Sequence, residues 1–315
     1  MNESSQNKPN YLTGWLQLVR LPNLLTVPGD VLAGVAVMVG VAGKSAASPA
    51  VGTIVAACGA SVLLYIVGLL CNDLVDQARD AEERPSRPLP SGVVPRSHAI
   101  VGFLVSVIGA ILLGFFLLPL AAFGCEVALL GVILIYNSIK QKFPLAGGVV
   151  MGLCRGLNLL LGAAILVDGR WTPFFTHAVP IAACWTAYIF AVTLVAQRET
   201  DGQGVQRRLA LPVVVLLAFI ATFFFVIRPT EVLLIVQMAI YLAMPLVMTF
   251  AISLRIYLDC RPKTIQDGIG GMISNLIFMQ AAVCISWPGL GGITAPSLMM
   301  LWILNNLLCR RFYAS

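Results

Sequence analysis

Positions 72–92 read NDLVDQARDAEERPSRPLPSG, and five of the chain's 14 acidic residues fall between positions 73 and 83. On a helix continuing through position 80, Asn72, Asp73, Asp76 and Asp80 share an arc of about 100°, stacked over roughly 12 Å. Three carboxylates so close repel, and each raises the others' pKa. A divalent cation removes that conflict. Hard oxygen ligands favour Mg²⁺ or Ca²⁺, and Mg²⁺ uses one or two carboxylates and fills its shell with water and phosphate oxygens. The cluster therefore suits a metal-held diphosphate; the alternative is an acidic helix end that is merely solvated.

Other residues fit the same two-sided reading. Pro85, Pro88 and Pro90 forbid a continued helix and predict a stiff, extended path. That path holds Arg84 and Arg87 near the acidic face, where a guanidinium fork takes phosphate oxygens; otherwise they only add to the positive charge of a loop. Tyr136 and Lys140 are four apart on a helix, either a diphosphate contact or interfacial belt and snorkelling residues. Arg155, Asn158 and Asp30 lie inside apolar runs. A charge at membrane depth is a functional candidate, with Arg155 facing a polar cavity or paired structurally inside the bundle.

The elements that must position these groups are membrane helices. Of 315 residues, 59% are hydrophobic and 11% charged, against about 25% charged in soluble domains. The mean hydropathy is +0.91. Apolar runs long enough to cross a bilayer, roughly 17–25 residues each, recur near 22–43, 51–72, 98–118, 120–139, 145–167, 174–196, 209–227, 231–254 and 267–287. A weaker tenth run spans 296–309. None shows the two-residue alternation of barrel strands, so the chain is predicted to be an all-α polytopic membrane protein, a single domain over 1–315 with a polar tail at 1–13. The tail is short, and the run behind it is too long for a cleaved signal. The eight cysteines are scattered without a CxxC pair and indicate neither a disulfide framework nor a zinc site.

A net charge of +6 raises nucleic acid as a partner, but its distribution points to the bilayer. Lys and Arg gather before span 1 and after each even span, fourteen against three in the opposite loops. The positive-inside rule puts the N-terminus and the acidic motif in the cytoplasm.

Together these pieces resemble the UbiA superfamily of intramembrane prenyltransferases. The residues that bear the likeness are Asn72-Asp73-x-x-Asp76-x-x-x-Asp80 with RPSRPLPSG at 84–92, RLPNLLTVPGDVLAG at 20–34, and Tyr136-x-x-x-Lys140. Within the superfamily, ERPSRPLPSG, MGLCRGLNLLLGA (151–163) and the closing RRFYAS are most similar to the EboC-like branch, which accompanies gene clusters linked to export of secondary-metabolite precursors. The resemblance implies nine helices around a central cavity, with two aspartate-rich motifs at the cytoplasmic mouth holding Mg²⁺ and the diphosphate of a polyprenyl donor. It implies transfer of the prenyl group to an aromatic or other electron-rich, lipophilic acceptor. By position it makes Asn72, Asp76 and Asp80 metal ligands and sets Arg20, Arg87, Tyr136 and Lys140 on diphosphate or acceptor.

The second motif departs from the family's D-x-x-x-D. QRETDGQG offers Glu199 and Asp201 as ligand candidates two residues apart, with Gln203 where a carboxylate would complete the spacing, and Arg198 beside them as a further cation. Carboxylates at i and i+2 lie on opposite faces of a helix, so both reach one metal only from a loop. The departure and the EboC-like likeness leave a second possibility: a non-catalytic relative that binds or exports a metabolite precursor.

Overall fold

The computed structural model describes residues 10–42, 49–169, 171–198, 204–287 and 289–312, with side chains through Leu307. The described residues form helices and their connections.

The chain begins with a helix the hydropathy does not reveal. α1 (Tyr11–Leu18) starts where Asn10 accepts from the Thr13 amide at 2.8 Å, satisfying a free donor of the first turn. Residues 11–13, expected to be tail, are thus its first turn. α2 (Leu21–Leu24) and α3 (Val27–Ala42) make the first span. α4 (Val51–Glu83) follows, then α5 (Arg96–Leu117), α6 (Leu120–Ile139) and α7 (Pro144–Ala164). A π-helical turn at Phe174–Ala178 leads into α8 (Val179–Ala196), and a 3₁₀ turn at Val205–Arg208 into α9 (Ala210–Ile227). α10 (Val232–Leu258) precedes a ninth span broken at Asn275 into α11 (Pro262–Ser274) and α12 (Leu276–Cys284). Among the described residues, nine helices are long and apolar enough to cross a membrane. The weaker tenth run lies within α13 (Gly291–Phe312), outside those nine, which packs on α12 and α2.

Lipid-facing helices need only be apolar, so side-chain size decides which packs inside. α3 is buried along almost its whole length, between α4, α7 and α12. Two glycines let it approach α7: a Cβ on Gly34 would lie 2.0 Å from the Leu159 carbonyl oxygen, and one on Gly162 would lie 2.0 Å from that of Val31. Close small-residue crossings of this kind replace the hydrophobic driving force that lipid cannot supply between helices. On the far side of α8, Trp185, Phe219 and Phe223 fill the interior. The break at Asn275 frees backbone groups, and the Tyr188 hydroxyl meets one of them, donating to the Met272 carbonyl at 2.8 Å, while the Asn275 side-chain amide donates to Thr249 Oγ1 at 3.1 Å.

α4 is the longest element at 33 residues, about 50 Å at 1.5 Å rise, against a hydrocarbon core of about 30 Å. Its last turns therefore stand clear of the apolar layer. The proline-rich segment that follows is not extended. Hydrogen bonds from Arg87 N to Arg84 O (3.1 Å), Ser91 N to Arg87 O (2.9 Å) and Val94 N to Pro88 O (3.0 Å) fold it into successive turns. Proline's fixed φ suits turn positions as well as extended ones, and burial decides here. Leu89 and Val94 join Leu18, Leu70 and Ala99 in a small core closed by Trp15 of α1.

Candidate functional site

The final turns of α4 remain helical through Glu83, so Asn72, Asp73, Asp76 and Asp80 do share one face. Three separate segments, two of them remote in sequence, bring one cation to each of Asp73, Asp76 and Asp80. Arg20 approaches Asp73, with Nη2 3.7 Å from Oδ1. Its backbone is left-handed (φ 43°, ψ 57°), a conformation costing a non-glycine residue about 1–2 kcal/mol; it redirects the chain between α1 and α2 toward the motif. Arg87, held in the turns after α4, sets Nη1 2.6 Å from Asp80 Oδ2. Asp73 and Asp80 are buried, the latter 6% exposed.

Lys140 closes α6, and its Nζ is a point of convergence. It lies 2.7 Å from Asp76 Oδ2 and 3.2 Å from Asn137 Oδ1, and also donates to Asn72 Oδ1. The same ammonium stands 5.6 Å from the centre of the Tyr136 ring, within cation–π range. Gln141 takes the other oxygen of Asp76 at 2.6 Å. Arg84 ends α4, its amide 2.8 Å from Asp80 O, and is half-buried. Six of the expected residues therefore meet at one end of the bundle with Arg20 and Arg87: Asn72, Asp73, Asp76, Asp80, Tyr136 and Lys140. Repulsion among the carboxylates is relieved by the chain's own cations, one for each, and does not by itself demand a metal.

Whether Mg²⁺ suits the place can be judged from the donors. Among the described residues, no three His, Cys, Asp or Glu side chains converge closely enough to enclose an ion. Yet the oxygens of Asn72, Asp76 and Asn137 already meet around a single positive charge, the Lys140 ammonium. An amide and carboxylate oxygen set with few carboxylates is what Mg²⁺ accepts, since it completes its shell with water and phosphate. The residues fit.

Arg198 sits half-buried in the turn ending α8, its amide 3.0 Å from Val195 O. Glu199, Asp201 and Gln203 lie outside the described residues.

Arg155 and Asn158 are elsewhere, in a polar cluster within the bundle. Asp30, 0% exposed, receives four donors. Arg155 Nη1 (2.7 Å) and Asn158 Nδ2 (3.1 Å) meet Oδ2; Trp185 Nε1 (3.0 Å) and Gln280 Nε2 (2.7 Å) meet Oδ1. Asn158 accepts from Ser61 and Arg155 donates to Thr26, while its guanidinium lies 5.8 Å from the centre of the Tyr65 ring. A carboxylate offers about four acceptor positions, and all are used. Of the partners expected for Arg155, this cluster supplies the structural one. Ser61 and Tyr65 precede Asn72 on α4 by eleven and seven residues, about 16 and 10 Å along the helix.

Sequence reasoning missed several of these residues. Asn137 was accessible, being three before Lys140 on one face. Gln141, Thr26, Trp185 and Gln280 were not: Trp185 and Gln280 reach Asp30 from 155 and 250 residues away, and nothing in their neighbourhood marks them.

The sequence pattern of a family described as "UbiA prenyltransferase family" matches residues 33–267. Digeranylgeranylglyceryl phosphate synthase of Sulfurisphaera tokodaii is 33% identical over 133 residues, 40% of this chain and 43% of that protein. The protein of the same name from Haloquadratum walsbyi is 29% identical over 204 residues, 61% of this chain and 66% of its own. The chain thus matches less than two thirds of the length of either relative. Among solved structures, the apo form of a UbiA homolog from Aeropyrum pernix K1 superposes with a TM-score of 0.65 at 14% identity, over 84% of this chain and 97% of that one. A UbiA homolog from Archaeoglobus fulgidus bound to DMAPP and Mg²⁺ gives 0.60 at 14% identity, over 87% and 99%.

Proposed function

The chain belongs to the UbiA prenyltransferase family, and on that premise we propose that it transfers a polyprenyl group from an allylic diphosphate, with Mg²⁺, to a lipophilic acceptor inside the membrane. The observation that supports this most is the meeting of Asn72, Asp73, Asp76 and Asp80 with Arg20, Lys140 and Arg87, oxygen donors and cations side by side at one mouth of the bundle. Arg84 and Arg198 stand as further diphosphate contacts, and Glu199 with Asp201 as a second set of metal ligands. By the positive charge of its loops, this mouth and the N-terminus face the cytoplasm.

Bound there, Mg²⁺ would neutralise negative charge developing on the departing diphosphate. It would be held by Asn72 and Asp76, with Asp73 and Asp80 beside it. The chain's own groups do the rest. Lys140, Arg20 and Arg87 donate to diphosphate oxygens, which gain charge as the C–O bond breaks. Below the polar mouth α4 and α6 pack through an apolar core of Leu64, Val67, Leu129 and Ile133, which excludes water from that part of the bundle, as an allylic cation requires. Tyr136 presents a π face to positive charge at the mouth. Deeper in, Arg155 and Asn158 mark the side from which a polar group of the acceptor is received, with Asp30 fixing their orientation. The acceptor is an electron-rich nucleophile, either an aromatic ring or, as the names of the similar synthases suggest, a hydroxyl of a glyceryl phosphate lipid.

The direct experiment incubates purified protein with Mg²⁺, a series of allylic diphosphates and acceptors of both classes. Product with wild type and none with Asp76→Ala is expected; no product across a broad panel would overturn the enzymatic reading. A second reading, a binding or export component of the EboC-like branch, draws on the same ion pairs, because the motif is electrically satisfied without metal. It predicts donor binding with no release of diphosphate.

A further inference from the structure

On the lipid-facing side of the bundle, a furrow of about 440 Å³ lies between the start of α8 and the end of α9. Thr176 of the π-helical turn and Pro180 of α8 line one side; Ala221, Thr222, Phe225 and Val226 of α9 line the other. Phe225 is 69% exposed, and Ala221 beside it is exposed and short. Apart from two threonine hydroxyls these side chains are apolar. The hydroxyl of Thr176 is already engaged: it donates to Thr172 O at 2.8 Å and lies 2.7 Å from His177 Nδ1.

α9 ends at Arg228, whose backbone is left-handed (φ 47°, ψ 54°). That conformation is unfavourable for a residue with a Cβ and persists where its surroundings fix it. Here the side chain folds back over its own helix. Nε donates to Phe225 O at 3.0 Å, and the guanidinium carbon stands 5.0 Å from the centre of the Phe225 ring, within cation–π range. The residue that lines the furrow therefore also holds a positive charge at its lip. Among the described residues, neither terminal nitrogen of Arg228 has a hydrogen-bond partner, and no carboxylate pairs with it. A cation at a helix C-terminus is favourable in itself, and that role uses Nε; it leaves the forked pair of Nη donors beside an apolar furrow.

We propose that Arg228 and this furrow form a binding site for an anionic phospholipid, with the phosphate on the guanidinium and one acyl chain along Pro180, Ala221 and Phe225. The two Nη groups match two oxygens of a phosphate diester. The chain gains dispersion contacts from walls that already exist. A free anion would satisfy only the arginine and a neutral lipid only the furrow, so the pairing selects a molecule that carries both. By the distribution of loop charge, this end of α9 lies on the outer face. The other loops there hold only Lys44 and Arg170 as cations, so Arg228 is one of few sites for an anionic headgroup in that leaflet. The site is independent of prenyl transfer.

The test uses the full chain in detergent and a phosphatidylglycerol bearing a diazirine midway along one acyl chain. Irradiation at sub-saturating lipid should label residues 221–226 or 176–180. Unlabelled phosphatidylglycerol should suppress that labelling, while dioleoylglycerol and inorganic phosphate at the same concentration should not. Arg228→Gln, which keeps a side-chain donor but loses the charge, should reduce it by about tenfold, the loss expected when charge-assisted hydrogen bonds are removed. Arg228→Lys should retain most of it, and Ala221→Phe, which fills the furrow, should remove it with Arg228 intact. Labelling that Arg228→Gln leaves unchanged, or that dioleoylglycerol suppresses equally well, is ordinary lipid contact and overturns the proposal. Suppression by inorganic phosphate as strong as by the phospholipid overturns the lipid as the occupant, and labelling confined to other segments overturns the furrow as its seat.

Discussion

Lys140 Nζ lies 2.7 Å from Asp76 Oδ2, so the cation that could grip a substrate phosphate is also the one that neutralises the carboxylate that could hold a metal. A metal held as proposed would compete with this ammonium for the oxygens of Asn72 and Asp76. On the proposed function, a diphosphate bound with Mg²⁺ would let the ammonium pass from carboxylate to phosphate without leaving either charge bare.

Lys140→Met separates the two roles. Without the competing ammonium, half-saturation should be reached at lower Mg²⁺. Turnover at saturating Mg²⁺ should fall by about 10²–10³, the usual loss when a preorganised donor to a developing anion is removed. Steady-state rates across a Mg²⁺ titration give both numbers; unchanged turnover would remove Lys140 from the diphosphate site.

Ligand binding should be visible without any reaction. Inorganic diphosphate with Mg²⁺ at about a hundred times its Kd stabilises a folded protein by about 2.7 kcal/mol, so the unfolding temperature in detergent should rise. Asp76→Ala should abolish the rise. A wild type that does not shift would argue against a working donor site.

Asp30 and Arg155 are joined at 2.7 Å inside the bundle, and either alone becomes an uncompensated buried charge. Asp30→Leu and Arg155→Met should each destabilise by about 3–5 kcal/mol, the double variant by less than their sum. Thermal unfolding of all four proteins completes the cycle. Strict additivity would mean that the pair is not coupled.

The crossing of α3 over α7 offers a contrast between glycines. Gly34→Ala or Gly162→Ala drives a methyl into a carbonyl oxygen of the partner helix, and overpacking of this kind costs about 1–3 kcal/mol. Because Asp30 and Arg155 sit on these same helices, that cluster should loosen too. Gly124→Ala, with open space around it, should leave the unfolding temperature within error of wild type.

Periodicity and hydropathy made most of the bundle legible, because spanning helices must be long and apolar wherever they stand. They placed the nine spans within a few residues, apart from the polar extension of α4 and the break at Asn275. The Asn72–Asp80 face was equally legible, since helical spacing alone aligns it. What hydropathy missed is polar or short: α1 has only eight residues, and the segment from Arg84 to Val94 folds into turns because Leu89 and Val94 find a small core.

Sequence by itself determined that oxygen donors would line one side of a helix emerging from the membrane, with arginines and a lysine elsewhere in the chain. It did not determine which cation meets which carboxylate. Arg20 reaches Asp73 through a left-handed turn, Arg87 reaches Asp80 through a folded loop, and Lys140 reaches Asp76 from the end of another helix. Tertiary structure alone decided those pairs, and also that Arg155 would hold Asp30, because charge attraction is indifferent to sequence distance and acts only once packing has brought the groups within reach.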